Sequence, residues 1–155
     1  MAVLITDEHS SSGVDLEEMK AWAQAALNAE GYPVTAEVAL TLIEDDEMAS
    51  WNTQALGREG ATDVLSFPVE ALTPGQPPPP DPAGPPLLLG DVMIAPDYVR
   101  RQAETLGLSL QDEMALMVTH GVLHLLGYDH QNDFEAEVME ARESHILASQ
   151  GRVRR

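Results

Sequence analysis

The 155-residue chain carries 8 basic and 26 acidic side chains, a formal net charge of −18, with 44% apolar residues, mean hydropathy near −0.15 and no cysteine. That length holds one domain with a proper core and is too short for two of ordinary size. The absence of cysteine excludes disulfides and thiolate metal ligands, so any metal must be held by histidine or carboxylate.

No apolar stretch approaches bilayer-spanning length, and residues 1–8 lack a basic segment leading into a long apolar one, so a cytoplasmic protein with no membrane partner is expected. In chain order, residues 3–5 read as a first strand. Asp15 and Glu18 form a capping box for a helix reaching about Glu30, with Leu16, Met19, Trp22, Ala23, Ala26 and Leu27 as its apolar stripe and Gly31 as its stop. Residues 35–43 alternate as a second strand, and the acidic run 44–47 then opens a short helix, where carboxylates suit the positive N-terminal end. A loop with Arg58 follows. Residues 64–67 form a strand stopped by Pro68, with Thr62 and Asp63 at its entry read as turn residues.

Residues 70–86 hold eight of the eleven prolines, have no periodicity, and read as an extended surface loop inserted between two strands. The apolar run 87–95, interrupted by Gly90-Asp91, is a buried strand. Pro96 suits the first turn of a helix to about Leu106, ended by Gly107. Ser109 with Asp112 caps the next helix, which is apolar nearly all round over residues 114–126 and therefore buried. Asn132 with Glu135 opens a last helix to about Ser149, with Glu135, Val138, Met139, Arg142, Ile146 and Leu147 on one edge. Arg152, Arg154 and Arg155 end the chain as a frayed tail or as a basic arm. The elements do not alternate regularly, which predicts an α+β fold: a small mixed β-sheet packed against helices, with a metal-binding helix at its centre. Residues 1–155 are expected to form a single domain.

The buried helix carries the chemistry. His120 and His124 lie four apart and so share a face, and Gly127 allows a turn that returns His130 towards them. Three imidazoles converging with a fourth position open are the ligand set of a catalytic zinc site. The alternative is a pair of hydrogen-bonded core histidines. His9 and His145 lie outside the cluster and read as structural.

The run HGVLHLLGYDH (120–130) resembles the signature H-G-x-L-H-L-x-G-Y-D-H of the YbeY family of bacterial rRNA maturation factors, which are zinc-dependent endoribonucleases. Residues 62–68, TDVLSFP, and 89–92, LGDV, are similar to further family motifs in the same order, and the likeness spans essentially the whole chain. The resemblance implies the same α+β architecture, one Zn2+ on His120, His124 and His130, and single-strand-specific cleavage of RNA in rRNA maturation and ribosome quality control. It also implies the rRNA precursor and the ribosome as partners, and offers Thr62 and Asp63 a place in a cleft beside the metal as the alternative to turn residues. The family segment L-N-x-x-Y-R-x-K-D-x-P contains an arginine associated with nuclease activity. Here Asn52 matches, Leu56 occupies the arginine position, and Arg58 falls where lysine is usual; Arg58 is thus the candidate phosphate contact.

Zinc on three neutral imidazoles keeps its double charge and acidifies water, the chemistry that phosphodiester hydrolysis requires; in RNA the 2′-hydroxyl is an alternative nucleophile, and the choice stays open. Two rivals remain. A metalloprotease would need the glutamate of H-E-x-x-H, and Gly121 stands there. A ribosome-associated maturation factor with a mainly structural zinc is favoured by Leu56 and by the net negative charge, which repels nucleic acid at long range.

Overall fold

The computed structural model describes residues 3–155. Four strands and five helices follow one another as β1 (Val3–Asp7), α1 (Leu16–Ala29), β2 (Ala36–Leu42), α2 (Asp45–Leu56), β3 (Val64–Pro68), β4 (Leu87–Ile94), α3 (Pro96–Leu106), α4 (Leu110–Leu125) and α5 (Asp133–Ala148). The sheet order is β1-β2-β4-β3. β1, β2 and β4 run parallel, and β3 pairs antiparallel with β4 at one edge. This is the expected α+β fold with a small mixed sheet. Pro68 ends β3 on that edge, where a missing N–H costs no ladder bond.

The helix starts are set by the capping residues expected from the sequence. Asp15 accepts from the amides of Glu17 and Glu18, Ser109 from Asp112, and Asn132 from Glu135; each bond satisfies an amide that has no partner within its helix. Asn132 also donates from its amide to the Glu135 carboxylate at 2.8 Å, closing that capping box. α2 is longer than the short helix expected, at 12 residues, with Asp45, Asp46 and Glu47 in its first turn.

The centre of the molecule is α4, which packs against α1, α3, α5, β3 and β4. Met114, Ala115, Val118, Val122, Leu123 and Leu125 on it are fully buried. It lies tight against the sheet at Gly121, where a Cβ would be 2.6 Å from Val92 Cγ1 and 3.2 Å from Val64 Cγ2. Ser66 of β3 donates its hydroxyl to the Gly121 carbonyl at 2.9 Å. The sheet thus fixes the height of the helix at the turn that carries His120.

Within residues 70–86 the structure has no helix or strand, only an isolated bridge between Thr73 and Gln76. Leu72 nevertheless packs against the main core. The three C-terminal arginines differ from the frayed tail expected. Arg152 pairs with Asp112, Arg154 with Glu143 and Arg155 with Glu113, all carboxylates on α4 and α5. Among the described residues no helix is long and apolar enough to cross a membrane.

Candidate metal centre and cleft

α4 presents His120 and His124 one turn apart, and their Nε2 atoms approach to 3.1 Å. The turn after the helix supplies the third ring. Gly127 has φ +102°, and a Cβ there would lie 2.2 Å from the Leu72 carbonyl oxygen, so only glycine fits this reversal. Beyond it His130 comes back until its ring centroid is 5.4 Å from that of His120 and 5.0 Å from that of His124. One nitrogen from each of the three rings lies within 4.8 Å of the others. The three residues predicted as a cluster are brought together, and the group can hold a metal ion.

The outer nitrogens decide what the inner ones offer. His124 Nδ1 lies 2.9 Å from the Tyr128 carbonyl, which can only accept, so Nδ1 is the protonated nitrogen. His120 Nδ1 lies 2.7 Å from Glu143 Oε2, and this carboxylate is held below the ordinary range: burial works to raise it, but the hydrogen bonds from His120 and Arg154 prevail. With both outer nitrogens so engaged, the two Nε2 atoms, 3.1 Å apart, are the ones turned towards each other and towards a shared cation. Burial first, and then the neighbouring His120, push His124 below the usual imidazole range, favouring the neutral form that ligates.

The cluster lies in a cleft of about 860 Å³. Thr62, Asp63, Ser66 and Phe67 form part of its lining, and so do Leu56 and Arg58. Thr62 and Asp63 combine the two roles left open by the sequence, since Asp63 Oδ1 also accepts from the Val64 amide at 2.8 Å. Asn52, buried at the end of α2, fixes the loop carrying Arg58 by donating to the Gly60 carbonyl at 2.9 Å. Every other arginine is ion-paired to a carboxylate, whereas Arg58 has no such partner among the described residues. Leu56, at the family's arginine position, is half exposed in the same cleft. Asp129 accepts from the His130 amide at 2.8 Å and so shapes the turn.

His9 stands apart, in a second group with Glu44 and Asp97. Its Nδ1 accepts from the Ser11 amide at 2.9 Å, which leaves Nε2 as the proton-bearing nitrogen, donating to Asp97 at 3.0 Å. That cluster is satisfied by hydrogen bonds, in keeping with a structural role. His145 lies on exposed helix surface.

The supports of the site were not anticipated from the sequence. Glu143 is 1% exposed although charged, and Glu30, also buried, accepts from the Tyr128 hydroxyl and from Arg142 Nε at 2.8 Å. The one available signal was spacing: Glu143 lies four residues after Met139 and three before Ile146, inside the apolar edge of α5.

Fold and site define a class: an α+β enzyme whose open cleft contains a three-histidine group able to take a metal ion. A family model described as endoribonuclease YbeY matches residues 4–151. The chain belongs to the endoribonuclease YbeY family. Curated relatives named endoribonuclease YbeY include one from Thermobifida fusca, 40% identical over 144 residues and covering 92% of this chain and 91% of its own. Another, from Salinispora tropica, is 39% identical over 151 residues and covers 96% of both chains. A third, from Frankia casuarinae, is 40% identical over 149 residues, covering 96% of this chain and 74% of its own. The solution structure of TM1509 from Thermotoga maritima shares the fold, with a TM-score of 0.61 at 24% identity over 96% of this chain and 91% of that one.

Proposed function

We propose that this protein is a cytoplasmic, zinc-dependent, single-strand-specific endoribonuclease acting in rRNA maturation and ribosome quality control, with His120, His124 and His130 as the ligands of one Zn2+. The observation that carries the reading is the convergence of three ring nitrogens within 4.8 Å of one another in an open cleft, with the Nε2 atoms of His120 and His124 3.1 Å apart. Family membership supports RNA as the substrate, and the ribosome as partner follows from the same resemblance. Residues 1–155 are read as one domain, with 70–86 as an inserted loop.

Zinc in this position supplies charge to the phosphoryl group and acidifies water. The protein's part is orientation. Glu143 and the Tyr128 carbonyl hold the Nδ1 protons of His120 and His124, which keeps both Nε2 atoms free for ligation. Arg58 contacts a substrate phosphate: among the described residues its guanidinium has no carboxylate partner, it lines the histidine cleft, and it can grip two phosphate oxygens in a fork. Peptide hydrolysis has no support, because the position after His120 is pressed against Val92 and has no room for a general base. The reading as a binding factor with a structural zinc has two observations in its favour, Leu56 in place of an arginine in the cleft and the net charge of −18.

Cleavage of a structured rRNA fragment by zinc-loaded protein, beside a folded His124→Ala variant prepared identically, tests the proposal. Cleavage by the parent and its loss in the variant are expected. Equal cleavage by both would point to a contaminating nuclease, and no cleavage by either would favour the binding factor.

A further inference from the structure

The segment after α5 is tied down by arginines whose partners differ in kind. Arg152 pairs with Asp112 and, at 3.8 Å, with Glu18, two carboxylates with half-exposed side chains. Arg154 Nε donates at 2.9 Å to Oε1 of Glu143, which is almost fully buried. The other oxygen of that carboxylate is the one 2.7 Å from His120 Nδ1. Arg154, Glu143 and His120 therefore form a chain from the C-terminal segment to the three-histidine group.

From this juxtaposition we infer that Arg154 is a positioning residue of the metal centre, acting through Glu143 on His120. The inference rests on the reading of His120 as a ligand. Residues 152–155 lie outside the 4–151 matched by the family model, so the match assigns Arg154 nothing.

A carboxylate bound through one oxygen keeps its terminal torsion, which is broad and roughly two-fold. With only His120 to hold it, Glu143 could swing its plane away from Nδ1. A second charged hydrogen bond on Oε1 fixes that plane and satisfies an oxygen that would otherwise be buried without a donor. Fixing the partner of Nδ1 fixes the direction in which Nε2 points, and such outer contacts are typically worth about 10–100-fold in metal affinity. Arg152 offers an internal comparison, since it anchors the same segment through Asp112 and Glu18, carboxylates that make no hydrogen bond to the three histidines among the described residues.

The test measures zinc affinity by chelator competition, on the full chain, together with the urea midpoint of the metal-free protein. The variants are Arg154→Ala, Arg154→Lys, Glu143→Gln, Arg154→Ala with Glu143→Gln, Arg152→Ala and His124→Ala. Arg154→Ala is expected to weaken zinc binding by about tenfold. Adding it to Glu143→Gln brings no further loss, Arg154→Lys recovers part of the affinity, and Arg152→Ala lowers the urea midpoint at parental zinc affinity. Equal zinc affinity for Arg154→Ala and Arg152→Ala, with zinc binding lost in His124→Ala, would overturn the inference and leave the ligand assignment intact. Parental zinc affinity in His124→Ala would overturn both. If the alanine variant does not fold, Arg154→Lys carries the comparison: affinity below that of Arg152→Ala supports the inference, and affinity equal to it overturns it.

Discussion

Gly121→Ala adds one methyl group at the point where α4 meets the sheet, and two opposing effects set its outcome. Alanine favours the helical backbone over glycine by about 1 kcal/mol. Against that, the new Cβ would stand 2.6 Å from Val92 Cγ1, when ordinary contacts begin near 3.4 Å, and 3.2 Å from Val64 Cγ2. Val92 is fully buried and branched at Cβ, so it has no alternative rotamer to retreat into without displacing other core side chains. Overpacking of this kind costs about 1–3 kcal/mol, and the stiffness of the contact places it near the upper end, for a net loss of ~2 kcal/mol. For a chain of this size that corresponds to a fall of roughly 4–8 °C in Tm. Urea denaturation of the metal-free protein reads the stability directly. Zinc affinity should fall as well, because a displaced α4 carries His120 and His124 with it, whereas His130 stands on the turn beyond the helix. A urea midpoint at or above the parent's would show that helix propensity had won, and would refute the argument that the sheet fixes the height of α4.

Three further outcomes are expected. Tyr128→Phe removes the hydroxyl that donates to Glu30 while Arg142 keeps that carboxylate paired, so about 1 kcal/mol of stability should be lost in urea titrations; an unchanged midpoint would mean that the bond contributes nothing. Arg58→Ala should lower RNA cleavage at least tenfold with zinc affinity unaltered, and full cleavage would remove Arg58 from the phosphate-binding role. Asp97 is held below its ordinary value of 3.8 by the hydrogen bond from His9, joined by Arg100, against an opposing effect of burial. A carboxylate depressed in the folded state contributes stability that is present above pH 3.8 and lost as pH falls through its lowered value. Asp97→Asn should therefore flatten this part of the acid limb of unfolding, and superimposable limbs for the two proteins would contradict the assignment.

What the sequence disclosed was local. Ser109, Asn132 and Asp15 announce helix starts through contacts made within three residues, and His120 and His124 reveal their pairing because four residues on a helix are one turn. His130 was legible through Gly127, whose positive φ marks the reversal. Arg154, Glu113 and Glu143 were not. Each looks like an ordinary solvated charge in the sequence, and only the return of the C-terminal segment across α4 and α5 brings them into contact. Glu30 and Tyr128 meet across 98 residues, so nothing in either neighbourhood discloses the bond. The net charge of −18 likewise concealed that most basic residues are occupied in ion pairs and that Arg58, the arginine left without one among the described residues, lies in the histidine cleft.

The central claim, that zinc on the three histidines drives RNA cleavage, is tested most directly by titrating zinc into metal-stripped protein while following zinc binding and cleavage of an rRNA fragment in the same sample. Cleavage should be absent at the start, rise with bound zinc and level off at one ion per chain, with no rise in folded His124→Ala. Undiminished cleavage by the metal-stripped protein, or a parental titration in His124→Ala, would contradict it.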